Sequence, residues 1–104
     1  MALHFSIVYS DDFDSDLQDV YDYIADTLHN PDAASKRVAD IILAAESLAV
    51  SPKRHRIRAQ NSEGIDIRVF TVKKHVILYS VDDEQCIVNI SRVFYGKRDI
   101  DALI

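Results

Sequence analysis

Apolar and polar positions change their spacing several times along this chain, and each change marks an element. From Leu3 to Tyr9 the pattern alternates, with Leu3, Phe5, Ile7 and Tyr9 on one side, which predicts a strand at a sheet edge. Ser10-Asp11-Asp12 follows, a capping hydroxyl and carboxylates suited to the positive end of a helix dipole. Phe13, Leu17, Val20, Tyr21, Ile24 and Leu28 then fall on one helical face, leaving Asp14, Asp16, Asp19, Asp22 and Asp26 largely on the solvated remainder. His29-Asn30-Pro31 breaks this helix and starts another, with Asn30 as cap and Pro31 in the first helical position. Ala34, Val38, Ile41, Ile42, Ala45 and Leu48 form the predicted buried stripe of the second helix, which Ser51-Pro52 ends.

The second half reads differently. Lys53-Arg54-His55-Arg56-Ile57-Arg58 is the densest basic run, and it leads into a polar loop over 59–64. Strands are predicted over 65–72, 75–82 and 85–95, joined by the short connections Lys73-Lys74 and Asp82-Asp83-Glu84, so they form an antiparallel meander. The order β-α-α-β-β-β implies an α+β fold over residues 1–104 as one domain: an N-terminal strand and a helical hairpin packed on a small twisted antiparallel sheet. The first strand joins an edge of the meander or lies beside its last strand.

Composition is that of an ordinary globular protein, 48% apolar and 28% charged. No basic leader precedes an apolar run and no segment reaches the roughly 18 apolar residues of a membrane span, so a soluble, cytoplasmic protein without membrane contact is expected. The lone Cys86, set among Ile and Val, has no internal disulfide partner; it is read as a small core side chain in a strand, in a reducing compartment. The net charge of −5 divides unevenly. Residues 1–50 carry ten Asp/Glu against Lys36 and Arg37, net −8, while residues 51–104 carry ten Lys/Arg against seven Asp/Glu, net +3. This asymmetry argues against capture of nucleic acid by overall charge and against direct sequence-specific DNA binding; an anionic partner must meet a local basic surface.

Little conventional chemistry is available. His4, His29, His55 and His75 are scattered and one cysteine gives no paired-ligand spacing, so neither a metal nor any other cofactor is expected. Gly64 and Gly96 are the only glycines, which excludes a Gly-rich phosphate loop. A basic and aromatic set remains: Arg68, then Lys73, Lys74 and His75 at a turn, then Arg92, Tyr95, Lys97 and Arg98. Arg68 shares a strand face with Asp66, Phe70 and Val72. Arg92 aligns with Val88, Ile90 and Phe94; a buried arginine needs a carboxylate or carbonyl partner, which favours a structural part for it and leaves ligand binding open. Gly96 is expected to free the backbone so that Lys97 and Arg98 stand out at the strand's carboxyl end, suited to phosphate or carboxylate. A merely solvated charged turn is the competing reading.

The ordered set of segments resembles the RelE/ParE superfamily of type II toxin–antitoxin toxins, the ParE branch more than the RelE branch. The resemblance is carried by residues 16–24, 31–34 and 48–52 in the helical half. In the strand half it is carried by Ile67-Arg68-Val69, by residues 76–81, and by Ile90-Ser91-Arg92-Val93-Phe94-Tyr95-Gly96-Lys97-Arg98-Asp99. It implies a toxin of a plasmid stabilisation-type system that is not an enzyme, inhibits DNA gyrase by protein–protein contact, and is neutralised by a cognate antitoxin whose binding residues it does not specify. Arg68, Tyr95, Lys97 and Arg98 would form the target-binding surface. The alternative it implies is a ribosome-dependent mRNA endonuclease of RelE type, with Arg68, Arg98 and either Tyr95 or His75 as catalytic residues. Against that stands Val76, where RelE-type enzymes carry a catalytic arginine, and a C-terminus without their tyrosine or histidine. A degenerate, non-toxic relative is the third possibility, and the acidic total departs from the usual basic character of ParE toxins.

Overall fold

Two side-chain caps set where the helices begin. Ser10 Oγ accepts from Phe13 N at 2.9 Å ahead of α1 (Asp11–Asp22), and Asn30 Oδ1 accepts from Ala33 N at 3.1 Å ahead of α2 (Pro31–Ser47). A computed structural model describes residues 4–96 and adds five strands: β1 (Ser6–Tyr9), β2 (Ile57–Gln60), β3 (Asp66–Val72), β4 (His75–Asp82) and β5 (Ile87–Tyr95). The fold is α+β, as the element order implies. Leu3 of the expected first strand, and Lys97 and Arg98 of the expected site, lie outside the described residues.

The sheet order is β1-β5-β4-β3-β2. Strands β2 to β5 run antiparallel as a meander, while β1 lies beside the last strand and parallel to it, Ser6 opposite Ile87 and Tyr9 opposite Ile90. The sheet is therefore mixed rather than wholly antiparallel. The strand β2 forms from the basic run and the polar loop, where none was expected. It has only one neighbour, so its polar composition costs little, and Gln60 Nε2 donates to Asp66 Oδ1 at 3.0 Å across the pair.

Every residue of β4 from His75 to Tyr79 is buried, because both faces of this central strand are covered. On the helix side, Ile77, Tyr79, Val88, Ile90 and Val93 pack against Phe13, Val20, Ile41, Ala45 and Leu48. On the other face Ile67, Val69, Val76, Leu78 and Phe94 form a second cluster. Phe94 thus faces away from Val88 and Ile90, contrary to the simple alternation expected for this strand. The cause is a bulge: Leu78 pairs with Arg92 and Tyr79 with Ile90, which leaves Ser91 as an extra residue and reverses the side-chain alternation.

Two other expectations are corrected. The first helix passes at Tyr23–Thr27 into a π-helical turn, with Leu28 N bonded to Tyr23 O at 3.1 Å. The wider turn rotates the residues after it, so Leu28, expected in the buried stripe, is 54% exposed. Cys86 is not a core strand residue. It is partly exposed in the turn before β5 with φ 55°, and its Sγ lies 3.7 Å from Asp83 O.

Candidate functional site

The basic run 53–58 spans the α2–β2 connection and the start of β2, and Lys53 and Arg54 hold that connection in place. Arg54 closes the carboxyl end of α2: its Nη1 donates to Val50 O at 2.7 Å and, at longer range, to Ser47 O and Ser51 O, and its Nη2 to Ser47 Oγ at 2.8 Å. Orphan carbonyls at a helix end attract a cation for this reason. Lys53 pairs with Asp83 at 2.6 Å on the surface. His55 stacks on Phe70, ring centroids 3.9 Å apart, with its buried Nε2 lacking a hydrogen-bond partner. Burial, aided by the neighbouring Arg54 charge, pushes the His55 pKa down.

Arg68 belongs to this structural group by geometry. Its Nη1 donates to His55 O at 2.7 Å and to Lys53 O at 3.1 Å. It lies opposite Tyr79, whose hydroxyl donates to Pro52 O at 2.6 Å. Tyr95 lies elsewhere. It pairs with His75, which in turn pairs with Val72, four residues along β3 from Arg68. At about 3.3 Å per residue, the two candidates stand about 13 Å apart along the sheet, so the fold does not bring Arg68 into a cluster with Tyr95.

What the fold does assemble sits at the β3–β4 turn and the exit of β5. Lys73 takes the left-handed conformation, φ 58°, that lets the two-residue turn reverse the chain, and Lys73 and Lys74 are both exposed. Gly96 N donates to Lys74 O at 2.9 Å, which ties the exit of β5 to that turn. Glycine is not demanded here: a Cβ would meet Lys74 O at 3.4 Å and Val76 Cγ2 at 3.5 Å, close to ordinary contacts, and φ is not in the left-handed region. Tyr95 is 42% exposed and its ring meets that of His75 edge-on, centroids 5.9 Å apart.

Beneath Tyr95, His75 is 8% exposed and its Nδ1 lies 3.1 Å from Arg37 Nη1. A guanidinium only donates, so Nδ1 accepts and the ring is neutral with its proton on Nε2. Burial, and then the Arg37 charge, push the His75 pKa down, in agreement with that state. Arg37 was not among the residues expected from the sequence. The available signal was its position, one residue before Val38 of the predicted stripe and one of two cations in an acidic half of the chain.

Arg92 resolves as a structural residue. Its Nε donates to Asp16 Oδ2 at 2.7 Å and its Nη2 to Asp16 Oδ1 at 3.0 Å. Asp16, expected on the solvated face of the first helix, is buried and also accepts from Val93 N at 3.1 Å. Among the described residues, no group of three or more His, Cys, Asp or Glu is arranged to hold a metal ion. No helix there is long and apolar enough to cross a membrane.

Comparison with known proteins adds to this geometry. A family model described as "ParE toxin of type II toxin-antitoxin system, parDE" matches residues 7–100. No curated protein matches the chain. Among solved structures it is similar to the chromosomal ParDE TA system from P. aeruginosa, at 21% identity and TM-score 0.73, covering 90% of this chain and 98% of that one. It is also similar to the toxin-antitoxin complex RelBE2 from Mycobacterium tuberculosis, at 17% identity and TM-score 0.68, covering 89% and 92%. A third likeness is to the archaeal RelE-RelB complex from Pyrococcus horikoshii, at 13% identity and TM-score 0.65, covering 93% and 100%. At these identities the structural likeness is one of fold.

Proposed function

This chain belongs to the family of ParE toxins of type II toxin–antitoxin systems, and from that premise we propose that it inhibits DNA gyrase by protein–protein contact and is held inactive by a cognate antitoxin. The target-binding residues are Arg68, Tyr95, Lys97 and Arg98, of which Lys97 and Arg98 lie outside the described residues. A plasmid-stabilising role in the cytoplasm, by residues 1–104 acting as one domain, belongs to the same reading. The observation that carries it is Val76. At the position where the resemblance puts a RelE-type catalytic arginine, this chain has an apolar side chain, 7% exposed, in the cluster on the sheet face away from the helices. Such a residue cannot stabilise charge on a phosphate undergoing attack.

A DNA supercoiling assay tests the proposal. Excess purified protein is expected to abolish supercoiling by gyrase, and equimolar antitoxin to restore it; undiminished supercoiling sinks the reading. The pairing of neutral His75 with Arg37 beside Tyr95 favours a second reading, a ribosome-dependent endonuclease using His75, Tyr95 and Arg98. Cleavage of mRNA at the ribosomal A site, lost on Arg98→Ala, is its distinguishing result. Growth unaffected by induction of folded protein would identify a degenerate relative instead.

A further inference from the structure

Arg37 is a half-buried cation with no counter-charge among the described residues. Its one hydrogen bond there goes to the neutral ring of His75, and no described carboxylate lies within 4.0 Å of its guanidinium. Asp40, one helical turn further along α2, does not pair with it. Removing a cation from water without an opposing charge is costly, and a guanidinium has five N–H donors, of which His75 takes one. His75 is itself held by burial and by its pairing with Tyr95, so it fixes the direction of the guanidinium. Lys73 and Lys74, next to His75 in sequence, add positive charge to the same end of the sheet.

We infer that Arg37, with His75 as its positioning residue and Tyr95 as an apolar platform, binds a single side-chain carboxylate presented among apolar side chains by a partner protein. This rests on the reading of the rim as a protein-contact surface, and names the chemistry of one partner group at it. A planar guanidinium with free donors matches a carboxylate by a two-point hydrogen bond. Phosphate would also fit a single guanidinium, but the surroundings separate the two. Arg37 projects from the half of the chain with net charge −8, where Asp32, Asp40 and Glu46 lie on the same helix. A nucleic-acid backbone brings a charge at every step and is repelled there; one carboxylate flanked by apolar side chains is not. Tyr95 and Arg37 both meet His75, and tyrosine and arginine are the residues that protein interfaces use as anchors.

The test is NMR on the full-length protein, following the Arg37 Nε–Hε and His75 ring resonances. The probes are a short apolar peptide carrying one Glu, the same peptide with Gln in place of Glu, inorganic phosphate, and oligouridylate. The Glu peptide is expected to move both resonances saturably, at least tenfold more tightly than the Gln peptide. Arg37→Gln is expected to abolish the response, and Arg37→Lys to weaken it several-fold while the dispersed spectrum of a folded protein persists. Equal binding of the Gln peptide, unchanged binding by Arg37→Gln, or tighter binding of oligouridylate or phosphate would each overturn the inference. Peptide binding without gyrase inhibition would sink the gyrase reading alone.

Discussion

Asp16 and Arg92, seventy-six residues apart in the chain, meet through two parallel hydrogen bonds of 2.7 and 3.0 Å that lock α1 onto the outgoing end of β5. The carboxylate side chain is 8% exposed and the arginine 24%, so the pair is largely withdrawn from water. Asp16 also satisfies Val93 N just past the Ser91 bulge. Replacing Asp16 by Ala leaves a cation and a backbone donor without partners. A loss of about 3 kcal/mol is expected in urea unfolding, at the lower end for a broken buried pair because Arg92 keeps some solvent. Asp16→Leu combined with Arg92→Met should recover most of it, which separates pairing from packing.

Ser10 links the same two elements from the other side. Its Oγ accepts from Phe13 N at 2.9 Å and donates to Ser91 O at 2.7 Å, capping α1 and holding the bulge at once. Ser10→Ala should cost about 1–2 kcal/mol, toward the upper range for a lost cap since two bonds go together. Hydrogen exchange at the Phe13 amide should quicken more than at the amides of β3.

Acid sensitivity should come in part from His55 and His75. Burial lowers both pKa values in the folded state, with Arg54 and Arg37 respectively adding to the effect. Above about pH 8 neither ring is appreciably protonated in either state, and they contribute no slope. As the pH falls below about 6.5, the unfolded chain takes up protons that the folded rings refuse, so stability declines until the folded rings titrate as well. Urea midpoints should therefore be lower at about pH 5.5 than at about pH 7.5. His55→Phe should reduce that difference. It keeps the stacking on Phe70 and removes an orphan nitrogen, so at neutral pH it should be neutral or stabilising by up to about 1 kcal/mol.

Arg54→Ala is expected to cost about 1 kcal/mol by exposing the last carbonyls of α2. Tyr79→Phe should cost about 1–2 kcal/mol, because the buried Pro52 carbonyl loses its donor. The measurement is thermal unfolding by circular dichroism, and a change within error for Tyr79→Phe would mean that water replaces the hydroxyl.

Local chemistry made much of the fold legible. Ser10 and Asn30 announce their helices because a cap acts within three residues. Strand β4 is bounded as expected because its turns lie directly beside it. What escaped the sequence depends on distant partners. Asp16 looks like its neighbours on α1 until β5 arrives, and the bulge at Ser91 is held by a serine eighty-one residues earlier. The strand β2 has no pattern of its own and forms by pairing with β3. Of the candidate site, the exposed position of Tyr95 at a strand exit is legible in the sequence, whereas the contact of Arg37 with His75 arises only when α2 crosses the start of β4.

The position of β5 between β1 and β4 has a consequence for how the protein is made. The last of the described strands to be made is an interior one, so until it emerges the first strand has no ladder to join and the helical hairpin has an incomplete surface to cover. A nascent chain cut short before Ile87 cannot close its hydrophobic layer and is open to proteases, and the rim where Tyr95 meets His75 exists only once synthesis of this strand is complete.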